Sequence, residues 1–317
     1  MTTQYATGLY PAAPSKKTGY NRVWIRDNIY TLFGIEAKKQ HNKAVKTLHA
    51  ILDILKKHEY KIDWMIKQPH PKEKHRYIHP RYEATGEEVK EEWGNKQNDS
   101  IGALLWKIGD LDKKKKFKWR KGDKEIVQKL VDYLEAIEYW HDADNGMWEE
   151  NEEVHASSIG ACLAGLLAVD HIAKVPLHLI AHGEHTLRKL LPRESTTKHV
   201  DLALLSLIWP YNIVTTKERN EILKNIEEEL VRNKGVIRYL GDKYYNNGKE
   251  AEWTMGFPWL AIIYKKLGKT NKHRFYLNKA KSARTTKGMP ELYFGETDEH
   301  NENTPLLWAE SLLEAAK

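Results

Sequence analysis

One cysteine, five phenylalanines and no long apolar run remove several protein classes from consideration for this 317-residue chain. A lone Cys162 excludes an intramolecular disulfide and a cysteine-based metal cluster within one chain. Set in IGACLAGLLAV, it reads as a small core residue rather than a reactive thiol. No stretch approaches the roughly 18 consecutive apolar residues of a spanning helix. The opening MTTQYATGLYPAAPSKKTGY lacks the apolar segment of a signal peptide. A soluble, cytoplasmic chain with no membrane attachment is the expectation. The fifteen histidines contain no HExxH zinc signature and GLYPAAPSKKTG carries no phosphate-binding fingerprint, so neither a metal nor a nucleotide cofactor is expected. No Pro-, Gly- or Ser-rich linker interrupts the chain, which reads as a single domain over 1–317. The formal charge of +7 would suit a nucleic acid. Its densest run, KKKKFKWRK at 113–121, lacks the spacing of a nucleic-acid motif and reads as a solvated loop, so no nucleic-acid partner is expected.

What the chain has is helix, of two kinds. SIGALLWKIG (100–109), SSIGACLAGLLAV (157–169), VDLALLSLIW (200–209) and FPWLAIIY (257–264) are apolar nearly all round, as helices buried on most sides are. KAVKTLHAILDILKK (43–57), EIVQKLVDYLEAI (125–137), HLIAHGEHTLRKLL (178–191) and KERNEILKNIEEELVR (217–232) place apolar residues at three- and four-residue steps between charges. Strand signals are short and isolated, GVIRYLGDKYY at 235–245 among them. The two helix classes alternate, which predicts an all-α fold in which an inner ring is wrapped by an outer one: an α/α barrel of about six hairpins.

Six clusters of acidic and indole residues sit ahead of the buried helices: VWIRDN (23–28), EEWGNKQND (91–99), MWEENEE (147–153), RESTTKHVD (193–201), EAEW (250–253) and MPELYFGE (289–296). The alternation puts all six at one end of the barrel, a usual place for an active site. Carboxylates bind hydroxyls and move protons, while indoles stack on the apolar face of a sugar ring, so the set suits glycosidic bond cleavage. Inversion needs a protonated carboxyl and an ionised one about 6.5–9.5 Å apart. Glu149 and Glu150 follow Trp148, whose indole would desolvate a carboxyl; the same EENEE run also reads as a helix N-terminus gathering acids. The partner carboxylate is Glu291 or Glu296, which spacing does not separate. Arg26 and Asp27 read as an ion pair or as ligands for sugar hydroxyls, and Asp99 equally as a helix N-cap. Trp24, Trp93 and Trp253 are candidate stacking platforms.

In order and spacing these clusters resemble glycoside hydrolase family 15, the glucoamylases, and its relative at the N-terminal part of the phosphorylase kinase α and β subunits. The resemblance runs from GYNRVWIRDNIY to TPLLWAESL. It implies an (α/α)6 barrel and cofactor-free, inverting exo-hydrolysis of α-glucosidic bonds. On the matching motifs it implies that Arg26 and Asp27 bind the terminal glucose, that Trp93 is a platform, and that Gln97 and Asp99 support the pocket. Glu149 would be the general acid and Glu150 a substrate ligand, and the Pro-Glu-x motif selects Glu291 as the base. Trp24, Trp148, Glu252 and Trp253 complete the expected substrate-binding set. LLPRESTTKHVDLALL, EAEW and MPELY look most like the kinase branch.

Two departures accompany the likeness. The chain begins about twenty residues before VWIRD, without the N-terminal β-sandwich of many prokaryotic members, which leaves a more open rim or self-association as expectations. EAEWTMGFPW has no arginine where fungal members place one near the leaving-group sugar. An α-glucan or α-glucoside is the expected substrate. A trehalase, or a glucan-binding regulatory module with little turnover, are the alternatives.

Overall fold

The computed structural model describes residues 4–91, 94 and 96–317. Among these lie twelve α-helices: α1 (Ile25–Ala37), α2 (His41–Lys57), α3 (Glu59–Lys67), α4 (Asn98–Lys113), α5 (Asp123–Ala136), α6 (Ala156–Val169), α7 (Leu177–Leu190), α8 (Leu205–Ile208), α9 (Thr216–Glu229), α10 (Gly256–Lys266), α11 (Thr270–Ser282) and α12 (Leu307–Ala316). Helices α1, α4, α6, α8, α10 and α12 pack against one another in that order, and α12 returns to α1 to close a ring. The fold is an (α/α)6 barrel. Both α2 and α3 fall between α1 and α4, with α3 lodged against α5, so the twelve helices are not six successive hairpins.

Burial follows the sequence pattern. In α6 every residue except Leu167 is buried, whereas α7 buries only Leu179, Gly183 and Leu187, one stripe of an amphipathic helix. The closest inner contact, α4 on α6, depends on glycine: a Cβ on Gly102 would fall 2.3 Å from the Ala161 carbonyl carbon, and one on Gly165 would fall 2.5 Å from the Gly102 oxygen. Cys162 is buried at this contact and its thiol donates to the Asn98 carbonyl. The basic run is only partly a solvated loop. Phe117 is buried, the Trp119 indole donates to Asp112 and Arg120 pairs with Asp53 and Asp123. The HxxxH spacing on α7 serves packing, since His182 stacks on Trp140 at 4.7 Å and His178 pairs with Glu135 at 3.0 Å. No described helix is long and apolar enough to cross a membrane.

Two short antiparallel ribbons tie down the loops ahead of the inner helices. β1 (Val23–Trp24) pairs with β2 (Arg81–Tyr82), and β3 (Glu252–Trp253) with β4 (Leu292–Tyr293). The second ribbon brings the fifth and sixth clusters side by side, with Trp253 opposite Leu292, the neighbour of Glu291. Within the run at 235–245, Val236 bridges to Trp253 and Val231.

Candidate active site

At the end of the ring where the inner helices begin, a cavity of about 270 Å³ is lined by Tyr20, Trp24, Arg26, Asp27, Trp148, Glu149, Glu150, Arg238, Tyr244, Trp253, Glu291 and Trp308, among others. A larger groove of about 830 Å³ lies outside the ring, between α9 and the α10–α11 turn, away from the paired carboxylates. Among the described residues, only those of clusters one, three, five and six reach the cavity wall. The second and fourth stand behind it as braces, because Gln97 and Asp99 engage Arg26 while Asp201 and Lys198 engage Trp148 and Glu150.

Glu149 sits in a turn closed by the Asp144–Glu153 bridge and by the Asn145 side-chain amide on the Glu150 carbonyl at 2.6 Å. Its backbone is left-handed, φ 63°, a conformation a non-glycine residue adopts at a cost. Helix α6 starts at Ala156 with no acid in its first turn, so EENEE is not a helix N-terminus. Arg26 touches Glu149 at 3.4 Å through Nη1; Nε and Nη2 are taken by Asp99, and Nη2 also by Gln97 at 2.7 Å and the Gly146 carbonyl at 3.2 Å. Asp99, not the adjacent Asp27, is therefore the partner of Arg26. Asp99 is also not the N-cap of α4, which is Gln97.

Glu291 is the most buried of the four cavity carboxylates, 1% exposed. Burial pushes its carboxyl up from the usual range, and hydrogen bonds from Asn303, Tyr20 and Asn301 oppose that push by favouring the charged form. Asn301 and Asn303 donate to the same oxygen at 2.5 and 2.7 Å. Tyr20 shares its hydroxyl with Tyr244 at 2.9 Å. Glu296 stands outside on an exposed turn, paired with Lys249. Asp27 completes the set. Burial raises its carboxyl to about 7 with Glu149 and Glu291 adding to the rise, while Arg26 lowers it.

Trp148 leans on Trp253 at 5.7 Å and on Trp308 at 6.4 Å, and its indole nitrogen donates to Asp201 at 2.8 Å. Glu150 accepts from Arg238 and Tyr239, each at 2.6 Å, and from Lys198 at 3.2 Å. Burial raises its carboxyl, but Arg238 leads the donors that bring it below the usual range. Glu252 does not face the cavity. Strand alternation turns it away from the side that Trp253 presents, and its carboxylate accepts from the Lys234 and Glu296 amides, fastening two loops. Trp93 lies outside the described residues.

Arg238 was not among the residues expected from the sequence. It comes from the run at 235–245 rather than from EAEW, is 3% exposed, and lies about 5.0 Å from the Trp253 and Tyr244 rings. Asp242, four residues on, holds its fork at 2.6 and 2.7 Å. The Arg-x-x-x-Asp spacing was the available signal. Tyr20, Tyr244 and Trp308 were also missed; lone aromatics carry no sign of which will face a cavity.

A helical barrel whose cavity is lined by carboxylates and indoles has the groups that sugar processing uses. Residues 1–313 match the family described as Glycosyl hydrolases family 15, and the chain belongs to that family. It is 29% identical over 282 residues to the phosphorylase b kinase regulatory subunit alpha, skeletal muscle isoform, of Oryctolagus cuniculus, covering 75% of this chain and 22% of that protein. The chain thus spans about a fifth of the kinase subunits it matches. It is 24% identical over 274 residues to an isomaltose glucohydrolase of Kribbella flavida, covering 78% of this chain and 68% of that one. Among solved structures, a wild-type glycosidase superposes with a TM-score of 0.84 at 21% identity, over 99% of this chain and 91% of the other.

Proposed function

We propose that this chain is an inverting, exo-acting α-glucoside hydrolase that releases β-glucose from a non-reducing end. Glu149 is its general acid and Glu291 its base. The observation that carries the reading is one small cavity holding Glu149 and Glu291 together with Asp27 and four indoles. Its volume of about 270 Å³ suits a single sugar ring, being below the roughly 300–1,000 Å³ of drug-sized sites. A terminal glucosyl unit would be held by Arg26 and Asp27, with Trp24, Trp148 and Trp253 against its apolar face. Glu150 and Arg238 would meet the leaving-group sugar. Water activated by Glu291 attacks the anomeric carbon as Glu149 gives its proton to the departing oxygen.

The kinase relatives favour a second reading, a glucan-binding regulatory module. Maltose, isomaltose and trehalose, each followed by NMR in the first minutes, separate the readings. Initial β-glucose that disappears in the Glu149→Gln and Glu291→Gln proteins, with folding intact, is the expected result. No glucose at high protein concentration, together with calorimetric glucan binding, would replace hydrolysis with the regulatory reading.

A further inference from the structure

Beneath the turn that carries Glu149 lies a second, wholly buried group of ionisable side chains that does not reach the cavity. His155, 4% exposed, is the residue before α6. Its Nδ1 is 3.3 Å from Glu194, and Glu194 also accepts from the Ser157 hydroxyl and the Ser157 amide. Asp144, two residues before Gly146, is held by the Ser158 hydroxyl and the Asn98 amide. The far edge of the ring presses on Gly146, where a Cβ would fall 2.7 Å from both Cδ2 and Nε2. Nε2 has no hydrogen-bond partner among the described residues. Gly146 is left-handed, φ 63°, and its carbonyl accepts from both the Glu149 amide and Arg26.

A cation at the start of a helix opposes the helix dipole, so mere capping of α6 would not call for His155. Glu194 alone already satisfies the first amides through its carboxylate and its carbonyl. What the ring does is fill the space under Gly146 and pair with Glu194.

We propose that His155 is a positioning residue for the acid: held by Glu194 through Nδ1 and packed beneath Gly146, it supports Gly146 and thereby the turn that points Glu149 at the cavity and at Arg26. The groups that face it are Glu194, Asp144, Glu153 and Lys198. Burial lowers its pKa, but Glu194 and then Asp144 outweigh burial and raise it to about 9. This inference rests on Glu149 being the acid.

The test is His155→Gln, which keeps an amide for Glu194 and loses the charge and the ring, alongside Gly146→Ala, which crowds the ring from the other side. In both, kcat on the best of the three disaccharides should fall about ten- to a hundredfold with KM within about twofold, the pattern of a misplaced catalytic group. Crystal structures of the two variants should show the Glu149 carboxylate out of contact with Arg26. Wild-type kcat in folded His155→Gln, or Glu149 unmoved against Arg26 in its structure, overturns the proposal. Because the structural readout needs no turnover, an inactive wild-type protein would refute the hydrolase reading while still deciding whether His155 places Glu149.

Discussion

Arg26 and Asp99 meet in a two-pronged contact, Nε to Oδ2 at 2.5 Å and Nη2 to Oδ1 at 2.9 Å, with both side chains 2% exposed. Burial works against the guanidinium charge and Asp99 more than restores it, leaving Arg26 firmly protonated. A buried pair of this kind is costly to break from one side, because the remaining charge is stranded. Asp99→Asn should therefore lower unfolding free energy by about 3–5 kcal/mol in denaturant titration. It should also depress kcat, since Arg26 would be freed from its bracket beside Glu149.

Glu149 offers a separate test in its backbone. At φ 63° a side chain is strained and glycine is not, so Glu149→Gly should be more stable than Glu149→Ala by roughly 1 kcal/mol, although both lack the acid. Equal melting temperatures for the two would show that the turn relaxes on losing the carboxylate.

Two amides hold one oxygen of Glu291, and donors to a carboxylate favour its charged form. Removing either donor, in Asn301→Ala or Asn303→Ala, should push the Glu291 carboxyl further up. The acid limb of the kcat profile should then move to higher pH, with kcat about ten- to a hundredfold lower for a lost bond to a charged group worth about 1.5–3 kcal/mol. An acid limb that stays in place would remove Glu291 from the role of base.

Stability should fall as pH rises from about 5 to 8. Asp27, Asp144 and Asp201 are each raised to about 7, chiefly by burial. Between the ordinary aspartate value and 7 the folded state keeps protons that the unfolded chain has released, so the stabilisation is lost as pH climbs through 7. His155, raised to about 9 despite burial, acts in the same direction at still higher pH. His79, lowered to about 4 by burial, acts oppositely below its ordinary value but is one group against three. Melting temperatures across this range check the slope, and Asp144→Asn should flatten it.

The fold was legible because burial in this chain follows periodicity. An α6 with one exposed residue in fourteen and an α7 with three buried ones differ visibly as strings of letters. Glu149, Arg26 and Asp27 were legible as charged residues beside indoles, and Glu291 only through the resemblance of its Pro-Glu-x motif; all four line the cavity. Arg238 was hidden in a run that reads as strand, since its function depends on a fork held by Asp242 and on rings contributed from elsewhere in the sequence. Glu252 misled for the opposite reason. It stands beside a cavity tryptophan, but a two-residue strand sends neighbours to opposite faces. The divided labour of the clusters, four as wall and two as brace among the described residues, exists only in three dimensions.

The ring closes where α12 meets α1, and a hydrogen bond from the Thr18 hydroxyl to Asn303 spans almost the whole sequence beside it. Asn303 also holds Glu291, while Arg26, at the other side of that seam, holds Glu149. Each carboxylate thus depends in part on a residue distant in the chain, Glu149 on Arg26 and the Asn303 that holds Glu291 on Thr18. A partly folded chain with an unsealed seam would keep most of its helices and have no place for a sugar, so ligand affinity would serve as a sensor of whether the two ends have met.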